Sequence, residues 1–213
     1  PLIDHELGLF AKYRKMFNLG RKELVIALLP GSRVGELKAH TDTLLETAQN
    51  LLEVHPDAKF LIPATNDNNM HFIKSRIRNN PTKNLKLIKG KVDEILNSAN
   101  IAIAASGTAS LQIALHKKPM IIIYKGSWIS YFIWKMVRLI PNVSLPNILL
   151  NENFVPEMLQ HRATPNLLSE KACEIIKDKK YLIKIESKFN KLHKDLKKNT
   201  SSLIFKIIKP YLK

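Results

Sequence analysis

Short apolar runs alternate along the chain with longer segments in which apolar residues recur at helical spacing. Five runs of four to six residues have the length of buried strands: Leu24–Leu29, Lys59–Pro63, Leu85–Ile88, Ile101–Ala105 and Met120–Tyr124. Four segments between them predict helices: Gly35–His55, Asp67–Asn79, Val92–Ser98 and Ala109–Lys117. Strands that alternate with helices in this way predict an α/β fold, a Rossmann-like parallel sheet with helices on both faces.

The pattern after this region is less regular. We predict a loop over Val143–Leu150, helices over Val155–Gln160 and Pro165–Asp178, and basic helices over Lys180–Lys198 and Ser202–Leu212. The chain is therefore expected to divide into a leading segment (1–22), an α/β domain (23–178) and basic C-terminal helices (179–213).

A turn of small residues, Ser106-Gly107-Thr108, joins a predicted strand to a helix. Right-handed crossovers place every such connection at one edge of a parallel sheet, where open α/β folds bind their ligands. Free backbone N–H groups at a helix N-terminus attract anions, most often phosphate. The turn therefore predicts a phosphate site, although Ser106 or Thr108 could instead simply cap the helix.

Arg33 lies in the loop Pro30-Gly31-Ser32-Arg33, which follows another buried strand and reaches the same edge. A guanidinium there could bind a phosphate or diphosphate through two hydrogen bonds; the alternative is a surface ion pair with Glu36. The loop lacks the Lys-Ser/Thr ending of a P-loop and the spaced glycines of a dinucleotide fingerprint. Because no paired metal-ligand spacing or catalytic triad stands out, the sequence indicates an anion-binding edge without a visible general base.

The net charge of +16 is concentrated toward the C-terminus, since residues 171–213 contain 13 lysines and four acidic residues. Such a charge attracts nucleic acid, anionic lipid or a phosphorylated substrate without choosing among them. The aromatic and aliphatic stretch Trp128–Ile140 is too short to span a bilayer, and could lie in a membrane interface or pack against another domain or subunit. The single cysteine, Cys173, excludes an internal disulfide and fits a reducing compartment.

Six short motifs follow one another along the chain. They are Leu28-Leu29-Pro30-Gly31-Ser32-Arg33 with Glu36, Ala105-Ser106-Gly107-Thr108-Ala109, Pro119-Met120 with Tyr124-Lys125, Ser144-Leu145-Pro146-Asn147, Val155-Pro156-Glu157 with Gln160, and Ala163-Thr164-Pro165. In this order they resemble the lipid-A-disaccharide synthases, glycosyltransferases of GT-B fold, over nearly the whole chain. The first two motifs recur loosely in other sugar-nucleotide enzymes, but their combination with the later ones is specific.

The resemblance implies an inverting transfer from UDP-2,3-diacylglucosamine to 2,3-diacylglucosamine 1-phosphate, which yields the β-1,6-linked lipid A disaccharide 1-phosphate and UDP. It implies that neither a metal nor another cofactor is needed. Family members are roughly twice this length, in two domains, so this chain is expected to be the donor-binding C-terminal part, with residues 1–22 ending an N-terminal domain. The general base is expected in that other domain, and this chain alone is expected to show no transferase activity.

By position, the resemblance implies six donor-binding residues: Arg33, Ser106, Gly107, Thr108, Gln112 and Asn147. Arg33 would contact the diphosphate, and the 106–108 turn would donate backbone and hydroxyl hydrogen bonds that stabilise departing UDP. Asn147 would face the cleft near the donor. Gln112 stands where the family usually has Glu, which accepts hydrogen bonds from both ribose hydroxyls, so weaker ribose binding is expected. Glu157 could instead be structural, and residues 150–153 depart from the family's glycine-bearing segment.

The resemblance also implies an enzyme that is cytoplasmic and peripheral on the anionic inner membrane of a Gram-negative bacterium. The expected partners are the two lipid substrates, that membrane surface and the N-terminal domain, with a homodimer as a further option. No nucleic acid is expected, because the aromatics cluster with aliphatics and no nucleic-acid motif is present. The alternatives left open are another GT-B UDP-sugar enzyme, such as a peptidoglycan N-acetylglucosaminyltransferase or a UDP-sugar epimerase, and a basic nucleic-acid-binding module.

Overall fold

Six parallel strands form the centre of the molecule. The computed structural model describes residues 2–126 and 142–197, where the strands are β1 (Val25–Leu29), β2 (Lys59–Ala64), β3 (Leu85–Lys89), β4 (Ile101–Ala105), β5 (Met120–Tyr124) and β6 (Glu157–Leu159). Their order is β3-β2-β1-β4-β5-β6, and every neighbouring pair is parallel. The predicted α/β fold with a Rossmann-like parallel sheet is confirmed.

Helices connect and cover these strands. In the described part of the chain they are α1 (Leu2–Met16), α2 (Val34–Val54), α3 (Asp67–Asn79), α4 (Val92–Ser98), α5 (Thr108–Leu115), α6 (Leu145–Leu150), α7 (Pro165–Lys177) and α8 (Lys179–Leu196), with a 3₁₀ turn at Gln160–Arg162. The bounds of α3 and α4 agree with those predicted. Local signals set these ends: the Asn66 side chain caps α3 by accepting a hydrogen bond from the Asn69 N–H at 2.9 Å.

Two predictions for the region between β5 and α7 are wrong. The segment predicted as a helix over Val155–Gln160 contains strand β6 followed by the 3₁₀ turn, because its backbone extends the sheet by pairing with β5. A three-residue strand is too short to show a periodicity of its own. The loop predicted over Val143–Leu150 contains α6, whose first turn accommodates Pro146 and which ends at Asn151 in the left-handed conformation (φ 49°).

The core lies on both faces of the sheet. Along β1, Ile26 and Leu28 belong to the cluster beneath α2, α3 and α7, whereas Val25, Ala27 and Leu29 belong to the cluster beneath α4, α5 and α8. All five side chains of β1 are buried, as are those of β4. A parallel sheet covered on both faces accounts for the continuous apolar runs in the sequence.

The Arg14 side chain links the end of α1 to the connections at the amino ends of the strands. Open α/β folds bind their ligands at the opposite, carboxyl ends. The Arg14 side chain is 1% exposed and donates five hydrogen bonds, to the backbone oxygens of Ser98 (3.1 Å), Gly20 (2.7 Å), Arg21 (3.2 Å) and Glu23 (2.8 Å) and to Asn100 Oδ1 (2.7 Å). These hydrogen bonds therefore compensate the free-energy cost of burying the charged guanidinium. The division of the chain at residue 22 and at residue 178 stays a prediction.

The basic helix α8 lies across the face that α5 and α6 cover. It buries Ile185, Phe189 and Leu192 and directs most of its lysines to solvent. The predicted membrane or packing segment Trp128–Ile140 and the predicted helix Ser202–Leu212 lie outside the described residues. Among the described helices, none is both long enough and apolar enough to cross a membrane.

Candidate anion-binding cleft

A cleft of about 430 Å³ opens at the carboxyl ends of the strands. The loops after β1, β2 and β4 line it, together with the first turns of α2 and α5. Strands β1 and β4 are neighbours in the sheet although their connections run to opposite sides, which makes this a topological switch point. Five of the six predicted site residues line this cleft: Arg33, Ser106, Gly107, Thr108 and Gln112.

The turn after β1 is shaped by the carboxylate of Glu36. This carboxylate accepts hydrogen bonds from the Ser32 N–H (2.8 Å) and the Arg33 N–H (3.2 Å). Gly31 has a φ of +107°, and a Cβ at this position would overlap the Glu36 side chain. Because the Glu36 carboxylate already accepts from them, the N–H groups of Ser32 and Arg33 are not free to bind an anion.

The Arg33 guanidinium reaches out from this turn. Its side chain is 86% exposed, and Nη1 lies 3.3 Å from Glu36 Oε1, so the surface ion pair considered from the sequence is present. Such an exposed pair contributes about 0–1 kcal/mol, and it engages one of five guanidinium donors. Arg33 therefore keeps donors for an anion in the cleft.

The turn after β4 supplies free backbone donors. Ser106 is already satisfied, because its N–H donates to the Ile123 oxygen (2.8 Å) and its hydroxyl donates to the Val143 oxygen (2.9 Å). Gly107 has a φ of +152°, and nothing lies within 4 Å of a Cβ built on it. The next N–H groups, those of Gly107, Thr108 and Ala109, have no hydrogen-bond partner within the described residues. They are unpaired donors at the start of α5, a place where a helix favours negative charge.

Gln112 lies one helical turn farther along α5 and is held by Asp93 of α4. Gln112 Nε2 donates to Asp93 Oδ1 (2.8 Å), and the imidazole Nε2 of His116 lies 2.8 Å from the same oxygen. The hydrogen bonds from His116 and then Gln112 lower the pKa of the Asp93 carboxyl. Sequence reasoning missed Asp93, although its place in the helix directly after the Gly90 turn indicates the same sheet edge.

Asn147 lies apart from the cleft, in α6. It is fully buried, its Nδ2 donates to the Val155 oxygen (2.9 Å) and Glu157 Oε1 (2.9 Å), and its Oδ1 accepts from the N–H groups of Phe154 (3.1 Å) and Val155 (2.9 Å). Its amide thus has all its hydrogen-bonding positions filled by the protein.

The carboxylate of Glu157 in β6 holds the start of α6. It accepts hydrogen bonds from the N–H groups of Val143 (2.9 Å) and Ser144 (2.9 Å), from the Ser144 hydroxyl (2.7 Å) and from Asn147. The role is structural, as the sequence allowed, since a carboxylate satisfies the unpaired donors of a helix start. Because Val143 also accepts from Ser106, this network reaches the turn after β4.

Within the described residues, no group of three or more His, Cys, Asp or Glu side chains is placed to hold a metal ion. The described residues of the cleft offer the Arg33 guanidinium, backbone N–H groups and the Gln112 amide, which is paired with the Asp93 carboxylate. This combination suits a ligand with an anionic part and a hydroxyl-bearing part.

Comparison with known proteins gives consistent relatives. A family model described as lipid-A-disaccharide synthetase matches residues 4–208. The lipid-A-disaccharide synthase of Methylobacillus flagellatus is 34% identical over 202 residues, 94% of this chain and 53% of that protein. The lipid-A-disaccharide synthase of Dechloromonas aromatica is 38% identical over 192 residues, 88% of this chain and 50% of that protein. This chain spans about half the length of these curated relatives.

Solved structures agree on the fold. HepE from Anabaena, in complex with UDP and glucose, superposes with a TM-score of 0.58 over 87% of this chain and 47% of that one. The sequence identity is 14%, so this likeness shows the fold alone. The GT-B interpretation of the sheet is thereby confirmed.

Proposed function

This chain belongs to the lipid-A-disaccharide synthetase family, and from that premise we propose that it is the donor-binding half of an inverting glycosyltransferase. The donor is UDP-2,3-diacylglucosamine, the acceptor is 2,3-diacylglucosamine 1-phosphate, and the products are the lipid A disaccharide 1-phosphate and UDP. The observation that carries the proposal is the convergence of Arg33 and the free amides of residues 107–109 on one cleft. The family match favours this reaction over the other UDP-sugar enzymes that the sequence left open.

In this proposal the cleft stabilises the leaving group. The acceptor hydroxyl attacks the anomeric carbon from the face opposite UDP, the bond from that carbon to the phosphate oxygen breaks, and UDP leaves with the electron pair. The acceptor proton passes to a general base that we place outside this chain. The guanidinium of Arg33 and the amides at the start of α5 lie where the negative charge grows, and such fixed donors are the main source of stabilisation for an anionic leaving group.

We propose that Gln112 binds the ribose of the donor. Its Nε2 donates to Asp93, so its carbonyl oxygen is left to accept a hydrogen bond from a sugar hydroxyl. Thr108 offers its hydroxyl to the diphosphate beside the backbone amides. Asn147 acts indirectly in this scheme, because it stabilises the segment that holds Ser106 in place.

Replacing Arg33 with alanine is expected to weaken UDP binding by about 10- to 100-fold, which corresponds to the loss of a charge-assisted, two-pronged hydrogen bond. Isothermal titration of UDP into the 213-residue chain at pH 8.0 measures this. Arg33→Lys should recover part of the affinity, because it keeps the charge but not the fork.

The matched control is Arg78→Ala, which removes an exposed arginine from the far end of α3. It should leave the affinity within about twofold of that of the unchanged chain. A folded Arg33→Ala variant that binds UDP as well as this control would contradict the proposed role of Arg33.

We further propose that the enzyme is peripheral on the cytoplasmic face of the inner membrane, an anionic surface. The outer side of α8 supports this, because Lys184, Lys191 and Lys194 are exposed there and Ile183, directly before Lys184, is 71% exposed. Each lysine near an anionic bilayer contributes roughly 1 kcal/mol, so several together hold a protein at the surface.

Sedimentation with vesicles tests the membrane proposal. Binding should rise with the fraction of phosphatidylglycerol and fall with salt, and Lys184→Glu with Lys191→Glu should weaken it about 10-fold or more. Lys22→Glu with Lys83→Glu is the matched control. It makes the same charge change at exposed positions just before strands β1 and β3, outside α8. Equal binding to neutral and anionic vesicles would refute the proposal.

A further inference from the structure

The histidine His40, on α2, lies buried between two connections at the ligand-binding edge. It is 2% exposed, its Nδ1 is 3.2 Å from the Pro30 oxygen, and its Nε2 is 3.0 Å from the backbone N–H of Lys125. A carbonyl oxygen can only accept a hydrogen bond and a backbone N–H can only donate one. These partners therefore assign a neutral ring with its proton on Nδ1.

The other end of this link is the backbone just after β5. Lys125 is also held through its side chain, whose Nζ donates to the Thr43 hydroxyl (2.7 Å), and the Gly126 N–H donates to Gln160 Oε1 (3.3 Å). Among the described residues, three side chains hold residues 125–126, and of these His40 also contacts the 30–33 turn. A single imidazole thus joins the connection after β1, which carries Arg33, to the connection after β5.

We propose that His40 is a positioning residue that couples the 30–33 turn to the backbone at residues 125–126, and that a second proton on its ring breaks this coupling. A protonated ring would direct an N–H at the Lys125 N–H, so two donors would face each other where a hydrogen bond now exists. The 30–33 turn would then lose its tie to β5. Only the use of UDP as a probe below rests on the proposed function.

The environment of the ring favours its neutral form. Burial lowers the pKa of His40, while the Pro30 carbonyl and Glu36 raise it and Lys125 lowers it further. Glu36 on the same helix and Lys125 after β5 are the charged groups that act on the ring. Because the folded pKa lies below the unfolded value of about 6.5, the unfolded chain binds the proton more readily. The stability from His40 is therefore complete above about pH 6.5 and is lost as the pH falls below it.

The first test is an NMR titration of the 213-residue chain between pH 8.0 and 5.0. The amide signals of Ser32 and Arg33 should shift together with those of Lys125 and Gly126, at one common midpoint below pH 6.5. In His40→Asn this common transition should disappear. In His71→Asn, which removes an exposed histidine, it should persist. Independent midpoints for the two connections in the unchanged chain would overturn the proposal.

The second test separates the two ring nitrogens at pH 8.0, where UDP is fully ionised. The asparagine amide can take the place of Nδ1–H but does not reach Lys125, and the glutamine side chain reaches Lys125 but not Pro30. Each variant therefore breaks the link at one end, and both His40→Asn and His40→Gln should weaken UDP binding by about 5- to 10-fold.

A role in stability alone would leave the UDP affinity of the folded variants unchanged. Folded His40→Asn and His40→Gln that bind UDP within about twofold of the unchanged chain would therefore overturn the positioning role. Failure of the unchanged chain to bind UDP would refute the proposed donor site instead, and the NMR titration would still decide the coupling.

Discussion

Replacing Arg14 with alanine is expected to lower the free energy of unfolding by about 3–5 kcal/mol. The substitution removes five hydrogen bonds at once and leaves the buried Ser98 oxygen without its guanidinium partner, whereas Asn100 Oδ1 still accepts from the Val25 N–H. An unpaired buried acceptor costs about 1–3 kcal/mol, and the loss of the four part-buried hydrogen bonds and of the packing of the buried side chain adds to it. Urea unfolding followed by circular dichroism measures the change.

Two further variants define the cause. Arg14→Lys should also destabilise the chain, by about 2–3 kcal/mol, because an ammonium group has three donors at one point and cannot span the same acceptors. Arg21→Ala removes an exposed arginine from the same segment and should change the stability by less than about 0.5 kcal/mol. An Arg14→Ala variant within about 1 kcal/mol of the unchanged chain would show that water replaces the guanidinium.

Replacing Glu157 with alanine is expected to cost about 3–5 kcal/mol. Its carboxylate accepts four hydrogen bonds, three of them on Oε1 and one, from Val143, on Oε2. Glu157→Gln keeps the size and one acceptor oxygen, but places an amide N–H against a donor, and should cost about 1–3 kcal/mol. The order alanine, glutamine, glutamate in increasing urea midpoint is the expected result.

The control for this series is Glu170→Gln, an exposed position on α7 at which the same chemical change should be nearly neutral. Since Val143 links this network to Ser106, Glu157→Gln should also weaken UDP binding by a few fold. Equal stability of Glu157→Gln and the unchanged chain would mean that the carboxylate has no structural role.

The central strands of the sheet could be predicted from the sequence because each is marked by its own run of apolar residues. The strands β4 and β5 are continuous apolar runs, and a run that is buried on both faces needs no partner to be recognised. The strand β6 escaped prediction, since it is three residues long and is defined only by its pairing with β5. Its first residue, Glu157, is charged, which is not a strand signal.

The same distinction separates the predicted residues that line the cleft from the polar residues that are buried elsewhere. Arg33 and the 106–108 turn follow buried strands, so parallel topology alone brings them together. Asn147 and Arg14 are polar residues whose burial depends on partners outside their own helices. Asn147 contacts Phe154, Val155 and Glu157, and Arg14 contacts Ser98, 84 positions away. No local pattern distinguishes a buried, satisfied polar side chain from one that faces a ligand.

The turn around Glu36 has a consequence for the way in which an anion would enter the cleft. Of the three hydrogen bonds that this carboxylate accepts, the two from the backbone shape the turn, and the third, from the Arg33 side chain, is the longest at 3.3 Å. An incoming diphosphate can take over the guanidinium while the backbone contacts stay in place. Binding is then an exchange of one anion for another at a turn that is already formed. In the proposed donor site, the carboxylate is the group that pairs with the Arg33 guanidinium between ligands.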